Sequence, residues 1–221
     1  MNLTIIPTGD GSHTLFNEAL NETYHSRHGA RVEAEHVYLL HGLSYMLPRR
    51  NPIHLLEVGF GTGLNIWLTA IRAIQQPKIF FHVETIEPLP LPWDVIGALN
   101  FFQDSAHTEL AHQLHAATWS EPVVLLPNFR LIKHPTTVLT APFRPGIFDV
   151  IYFDAFAPNK QPEMWTPQVL GKMYEALAPG GVLTTYCAKG QLKRDLRVCG
   201  FRVDSLPGPP GKREMIRAEK T

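Results

Sequence analysis

A chain of 221 residues, 44% hydrophobic and 18% charged, can bury a full core and suits one α/β domain with an extension. Twenty basic and twenty acidic side chains cancel, which argues against tight non-specific binding to nucleic acid but leaves room for a local patch. Two cysteines are too few for a disulfide framework and suit a reducing, cytoplasmic setting; no signal peptide and no apolar run near the ~20 residues of a membrane span is visible, so no membrane partner is expected.

Residues 1–50 come before the first strong strand and read as an N-terminal cap, with the main domain over 51–221. Asp10-Gly11-Ser12 is a turn signal, and residues 17–24 are expected to form a short helix. Tyr24 to Ala30 is polar and glycine-bearing, a loop. His36 to Gly42, apolar at its centre, predicts a short helix or strand on the domain edge. The region is either a plain cover for the sheet or a lid whose Tyr24–Ser26 loop touches a ligand.

Ile53 to Val58 is a buried-strand run, followed by Glu57-x-Gly59-x-Gly61-x-Gly63 and then by helical spacing from Leu64-Asn65 onward. Strand, glycine turn and helix make the first unit of a doubly wound nucleotide-binding domain. The glycines admit a ligand that a β-carbon would block, and the helix start offers free N–H groups. This is not the Gly-x-Gly-x-x-Gly of dinucleotide binders, which wants glycine where Leu64 stands. A carboxylate at the strand end suits a cationic ligand group and repels a pyrophosphate. A tight turn with no ligand is the alternative.

The next strand is read over 79–86 and ends in Glu87, 24 positions after Gly63, where doubly wound folds place an acid for ribose hydroxyls. Residues 94–119 have helical periodicity. His107, His112 and His115 lie there without a cysteine or carboxylate to complete a metal set, so they read as solvated and no metal is expected. Val123 to Leu126 is a short extended approach to a third strand at 129–132, followed by Lys133-His134-Pro135.

Phe148 to Phe153 is again a buried-strand run. It ends in Asp154-Ala155-Phe156-Ala157-Pro158, with Met164-Trp165 beyond. Ligands of open parallel sheets sit outside the carboxyl ends of the strands, so Asp154 should face the glycine turn across the crevice. Thr166 caps a helix with Pro167 at its first position. A strand follows at 182–186, then a basic helix at 190–198, a strand from Phe201 and a closing strand at 212–217. From Lys189 to Thr221 nine Lys and Arg stand against four acids, a local basic face able to hold phosphates.

These stretches together resemble one family: the methyltransferase half of the bifunctional MnmC enzymes of tRNA wobble-uridine modification, also found as a stand-alone protein. The resemblance runs from about Asp10 to Arg217. It rests on Asp10-Gly11-Ser12-x-Thr14-Leu15, Tyr24-His25-Ser26-x-x-Gly29-Ala30, the Glu57-to-Asn65 turn, Asp154-to-Pro158 with Met164-Trp165, and Gly211-Lys212-Arg213-Glu214-Met215. It implies a class I S-adenosylmethionine-dependent methyltransferase fold, α/β and Rossmann-like, with a mostly parallel seven-stranded sheet and an N-terminal cap. The implied reaction methylates the primary amine of 5-aminomethyl-2-thiouridine in tRNA.

By that resemblance Glu57, Gly59, Gly61, Gly63 and Asn65 hold the methionine end of S-adenosylmethionine, Glu87 its ribose, and Tyr24 and Ser26 line the same cleft. Asp154 is the catalytic residue, steering the amine and helping to take its proton. Phe156, Pro158 and Trp165 wall the substrate pocket, and Lys193, Arg194, Arg197, Lys212 and Arg213 meet tRNA phosphates. Lys133-His134 stands where relatives tend to carry Gly-Asp, so adenine is held by backbone groups or by another acid. The flavin-dependent oxidase domain of the fused enzymes has no room in 221 residues, so no flavin is expected. The competing readings are a methyltransferase of a small amine metabolite and a non-catalytic tRNA-binding protein on the same fold.

Overall fold

The computed structural model describes residues 2–103 and 106–221. Strands β1 (Leu3–Pro7), β2 (His13–Asn17) and β3 (Glu22–Thr23) form a small antiparallel sheet. The short helix expected over 17–24 is not formed. Asn17 Oδ1 accepts the Leu20 N–H at 3.2 Å, and the Tyr24 N–H reaches the Leu15 carbonyl at 2.9 Å, so a turn leads into β3.

Helix α1 (Ala30–Ala34) starts against the Asp10 turn. Asp10 Oδ2 accepts the Val32 N–H at 3.0 Å, while the Thr8 and Ser12 hydroxyls accept that of Ala30 at 3.3 and 3.2 Å. It runs on through a π-helical segment, Glu35–Leu43, into α2 (Ser44–Met46). His36 to Gly42 thus belongs to a helix of unusual winding, and π turns of this kind recur at functional sites.

The main sheet takes β4 (Ile53–Val58), β5 (Phe81–Ile86), β6 (Val123–Leu126), β7 (Phe129–His134), β8 (Phe148–Phe153), β9 (Leu177–Thr185), β10 (Phe201–Pro207) and β11 (Glu214–Lys220), ordered β10-β11-β9-β8-β4-β5-β7-β6. The pairs β7–β5, β5–β4, β4–β8 and β8–β9 are parallel; β9–β11, β11–β10 and β6–β7 are antiparallel. Seven strands follow the expected class I plan. The eighth is β6, read from sequence as a mere approach: it folds back along β7 and closes that edge.

The helices are α3 (Leu64–Gln75), α4 (Trp93–Ile96), α5 (Asn100–Gln103), α6 (Thr108–Ala116), α7 (Pro167–Ala176) and α8 (Gly190–Val198). On one face Tyr38, Trp67, Phe102 and Leu114 pack over β4, β5 and β7; on the other Val169, Leu170, Met173 and Leu196 pack over β8 and β9. All six residues of β8 are buried, as a strand covered on both faces requires.

The helical stretch expected over 94–119 is broken into α4, α5 and α6; its residues 104–105 lie outside the described residues. Asn100 explains one break. It accepts the His13 N–H and donates to the Gly11 carbonyl, each at 2.8 Å, so the chain there turns to meet the N-terminal sheet. Among the described residues no helix is long and apolar enough to cross a membrane, and no cluster of three His, Cys, Asp or Glu is placed to hold a metal.

Candidate active site

The five parallel strands end on one edge of the sheet, so their following turns converge there. The turn after β4 places Gly59, Gly61 and Gly63 all at positive φ, 92°, 49° and 77°. At Gly59 the reason is proximity: a β-carbon would lie 2.6 Å from the Asp154 carbonyl oxygen, so the glycine turn and the end of β8 touch main chain to main chain. The Asp154 N–H donates to the Val58 carbonyl at 3.0 Å and completes that junction.

Glu57 is fully buried at the end of β4. Its Oε2 accepts from Thr85 Oγ1 at 2.7 Å, while its Oε1 has no partner. Burial pushes its carboxyl well above the usual range, only partly opposed by the Thr85 hydrogen bond. The orphaned oxygen stands near the end of β4, beside a turn of alternating glycines, and a ligand ammonium would give it the partner it lacks. Glu87 follows β5. Its Oε2 accepts the Gly61 N–H at 3.0 Å and its Oε1 the Leu89 N–H at 2.9 Å, leaving one lone pair on each oxygen for a hydroxyl.

Asp154 is held from both sides. Tyr38, on the π segment, donates its hydroxyl to Oδ1 at 2.6 Å, and Asn65, in the first turn of α3, donates its amide to Oδ2 at 2.8 Å. Burial raises Asp154 to about 6, while these two hydrogen bonds hold it down. Tyr24 lies over Gly61, its Cδ1 3.3 Å from where a β-carbon would stand, and meets the Phe156 ring edge-on at 5.0 Å. The glycine turn, Glu87, Tyr24, Phe156 and Asp154 therefore lie together at the carboxyl ends of β4, β5 and β8. Two surface hollows, of about 290 and 150 Å³, lie elsewhere, against α3 and against β6, and touch none of these residues.

A family model described as S-adenosyl-L-methionine-dependent methyltransferase matches residues 137–221. The bifunctional tRNA 5-methylaminomethyl-2-thiouridine biosynthesis protein MnmC of Chromohalobacter salexigens is 32% identical over 230 residues, covering 95% of this chain and 32% of its own length. The protein of that name from Paracidovorax citrulli is 32% identical over 221 residues, with 93% and 34% covered. The crystal structure of MNMC2 from Aquifex aeolicus superposes with a TM-score of 0.77 at 24% identity, over 98% of this chain and 70% of that one. Spermidine synthase from Thermotoga maritima shares the fold at a TM-score of 0.58 and 15% identity, over 100% and 72%.

The chain carries a methyltransferase domain of the MnmC type. It spans about a third of the length of its curated MnmC relatives. Its cofactor class is S-adenosylmethionine, and the cradle of Glu57, the three glycines and Glu87 suits that molecule.

The MnmC-type motifs divide into those at the cleft and those that carry it. His25 was given no role from sequence. Its Nδ1 and Nε2 lie 3.0 Å from the Thr14 and Thr62 hydroxyls, which ties the N-terminal sheet to the glycine turn, and burial lowers it to about 4. The Ser26 hydroxyl accepts the His28 N–H at 3.2 Å and shapes the loop. Trp165, read as a pocket wall, is buried, and its indole N–H donates to the Phe156 carbonyl at 2.8 Å. It pins the Asp154–Pro158 loop from beneath, while Pro158 stays half-buried on that loop.

Lys133, which stands where the resemblance leads one to expect Gly-Asp, is itself buried. Its ammonium donates to the Leu114 and His115 carbonyls at 3.0 and 2.9 Å, capping the end of α6, and sits 4.8 Å over the Trp119 ring. Burial lowers it to about 8. His134 lies 2.7 Å from Glu84. His115 is not the solvated helix histidine expected. It packs among Phe60, Trp93 and Phe102, and burial lowers it to about 3.

The basic face is narrower than the residue count implied. Lys193 pairs with Glu214 at 2.5 Å, Lys212 with Glu33, Arg202 with Glu219, and Arg217 with Asp204 at 3.7 Å; Lys220 donates to the Leu177 carbonyl at 2.8 Å. Lys189, Arg194, Arg197 and Arg213 remain exposed. Tyr38 and Glu33 were missed outright. Tyr38 is a lone polar tip in an apolar run and Glu33 one acid of a short helix; neither has a local signature.

Proposed function

We propose that this domain transfers a methyl group from S-adenosylmethionine to a primary amine, and that the acceptor is 5-aminomethyl-2-thiouridine at the tRNA wobble position. The products are then 5-methylaminomethyl-2-thiouridine and S-adenosylhomocysteine. The observation that carries this reading is Asp154: a carboxylate at the end of β8, in main-chain contact with the glycine turn and braced by Tyr38 and Asn65. Each of its oxygens keeps a lone pair for an amine N–H.

Glu57 and the glycine turn would hold the methionine end of the cofactor, Glu87 the ribose, and Tyr24 the mouth of the cleft, with residues 1–50 as the cap over 51–221. When bound, S-adenosylmethionine supplies the electrophilic methyl group. Asp154 accepts an N–H of the incoming ammonium, orients the nitrogen and takes up its proton. Tyr38 and Asn65 keep Asp154 ionised enough to do so. Phe156, Pro158 and Tyr24 exclude water, which lowers the amine's own pKa. Arg194, Arg197 and Arg213, which are exposed, meet tRNA phosphates, while Lys193 and Lys212 are already paired with Glu214 and Glu33.

The test is methylation of tRNA bearing the aminomethyl nucleoside, read by nucleoside mass analysis. Gain of one methyl is expected. Asp154→Asn should lower the rate by about 10²–10⁴-fold while S-adenosylhomocysteine still binds by calorimetry. No methyl transfer by the unaltered protein, or an unchanged rate in the variant, would overturn the reading. The pairing of so many C-terminal cations favours one alternative, a free amine acceptor, and turnover of small amines without tRNA would establish it.

A further inference from the structure

Glu33 is a buried carboxylate, 8% exposed, with no place in the transfer as described above. Its Oε2 accepts the Ser26 N–H at 3.0 Å, and its Oε1 receives the Lys212 ammonium. Lys212 comes from the far end of the chain, on the turn between β10 and β11. Its Nζ lies 3.9 Å over the Tyr186 ring, and the Tyr186 hydroxyl donates to the Ala155 carbonyl at 2.9 Å. One carboxylate thus joins the Tyr24–Ser26 loop, the β10–β11 hairpin and the wall beside Asp154. The hairpin has other ties to the same arm: His36 Nε2 lies 2.9 Å from the Pro207 carbonyl, and Gly211 packs directly on the His28 ring.

Those other ties hold the hairpin independently of the ion pair. A buried ion pair adds little net stability over an apolar pair of the same volume, so anchoring alone does not account for it. Its surroundings do. The groups that face Asp154 are Tyr38 from the π segment, Asn65 from α3, Glu57 from β4, Tyr186 after β9, Glu33 from α1 and Lys212 from the hairpin. Glu33 alone would set a second carboxylate beside Asp154 and favour its protonation. Lys212 alone would set a cation where a cationic amine must enter. Together they leave the pocket's balance to Asp154.

We propose that Glu33 and Lys212 are a positioning pair for the amine pocket, locking the Ser26 loop to the β10–β11 hairpin and partly offsetting each other's field at Asp154. The proposal rests on the amine-methyltransferase reading, and its test separates the two. The protein is labelled with ¹³C at its aspartate carboxyls, the Asp154 resonance is assigned with Asp154→Asn, and its titration is followed by NMR. In the unaltered protein the midpoint is expected near 6. Lys212→Met should move it up and Glu33→Gln down, each by roughly half a unit to one unit. Glutamine can still accept the Ser26 N–H, so this second change isolates charge from anchoring.

The double variant, Glu33→Gln with Lys212→Met, should return the midpoint towards that of the unaltered protein. The acid limb of the pH profile of kcat/KM should follow the same signs. A purely structural pair predicts single variants that shift the same way or not at all, and a double variant at least as impaired as either; that result overturns the proposal. Should the unaltered protein fail to methylate aminomethyl tRNA, the acceptor assignment falls, while the carboxyl titration still decides the pair.

Discussion

Gly59 is where the cleft is least forgiving. Its φ of 92° and the 2.6 Å approach to the Asp154 carbonyl oxygen are both backbone facts, so no side chain can rotate to make room. Gly59→Ala is therefore expected to cost about 2–3 kcal/mol, read as a lower urea midpoint, and to abolish S-adenosylhomocysteine binding in calorimetry. An unchanged midpoint would mean that the turn relaxes freely. The same scale shows what could be read in advance. Glu57, the three glycines, Glu87 and Asp154 announce themselves by residue type next to a strand end, and the fold gathers them at the ends of β4, β5 and β8. Tyr38 does not, because its partner Asp154 lies 116 positions away in the chain. Trp165 reads alike from sequence whether it lines the proline-rich loop or lies under it, and the fold buries it against that loop.

Among the elements, α8 is an amphipathic helix whose apolar side, Leu192 and Leu196, is buried and whose outer side is basic. Lys193 is engaged by Glu214, whereas Arg194 and Arg197 remain exposed. Replacing both arginines by glutamate should weaken tRNA binding and make its dependence on salt shallower by about two in log–log slope, measured by fluorescence anisotropy across a salt series. An unaltered slope would remove α8 from the interface. The Asp10 turn has a different task. Asp10, Thr8 and Ser12 satisfy the first N–H groups of α1, so that motif fixes where the helical arm begins and hence where Glu33 and Tyr38 fall.

Across the whole molecule, burial leaves several ionisable groups displaced in opposite senses. His25 and His115 are lowered to about 4 and about 3, so between those values and the ordinary 6.5 the unfolded chain binds more protons than the folded one. Their contribution is present above pH 6.5 and is lost as the pH falls. Asp154, raised to about 6, works the other way: from about pH 4 to 6 the folded state holds the extra proton, and stability falls as pH rises through that window. The measurable quantity is a difference. His115→Leu removes one of the two histidine terms, so its melting temperature should drop less than that of the unaltered protein between pH 6.5 and 5. An equal or steeper drop would mean that His115 is protonated in the fold.

The sequence by itself determined the strand–glycine-turn–helix unit, the positions of the buried strands along the chain, the acids at their ends and the basic helix. Those features follow from local periodicity, backbone sterics and residue chemistry, which need only a few neighbouring positions to show themselves. Tertiary structure alone decided which charges were spent. Tyr38 reaches Asp154 across 116 positions and Lys212 reaches Glu33 across 179, and no local pattern encodes such pairings. Whether a lysine is free for a phosphate, and whether an aspartate stays ionised, depends on what folding places beside it: the desolvation and the partner charges there are set by the packed molecule, not by the residue's own neighbours in the chain.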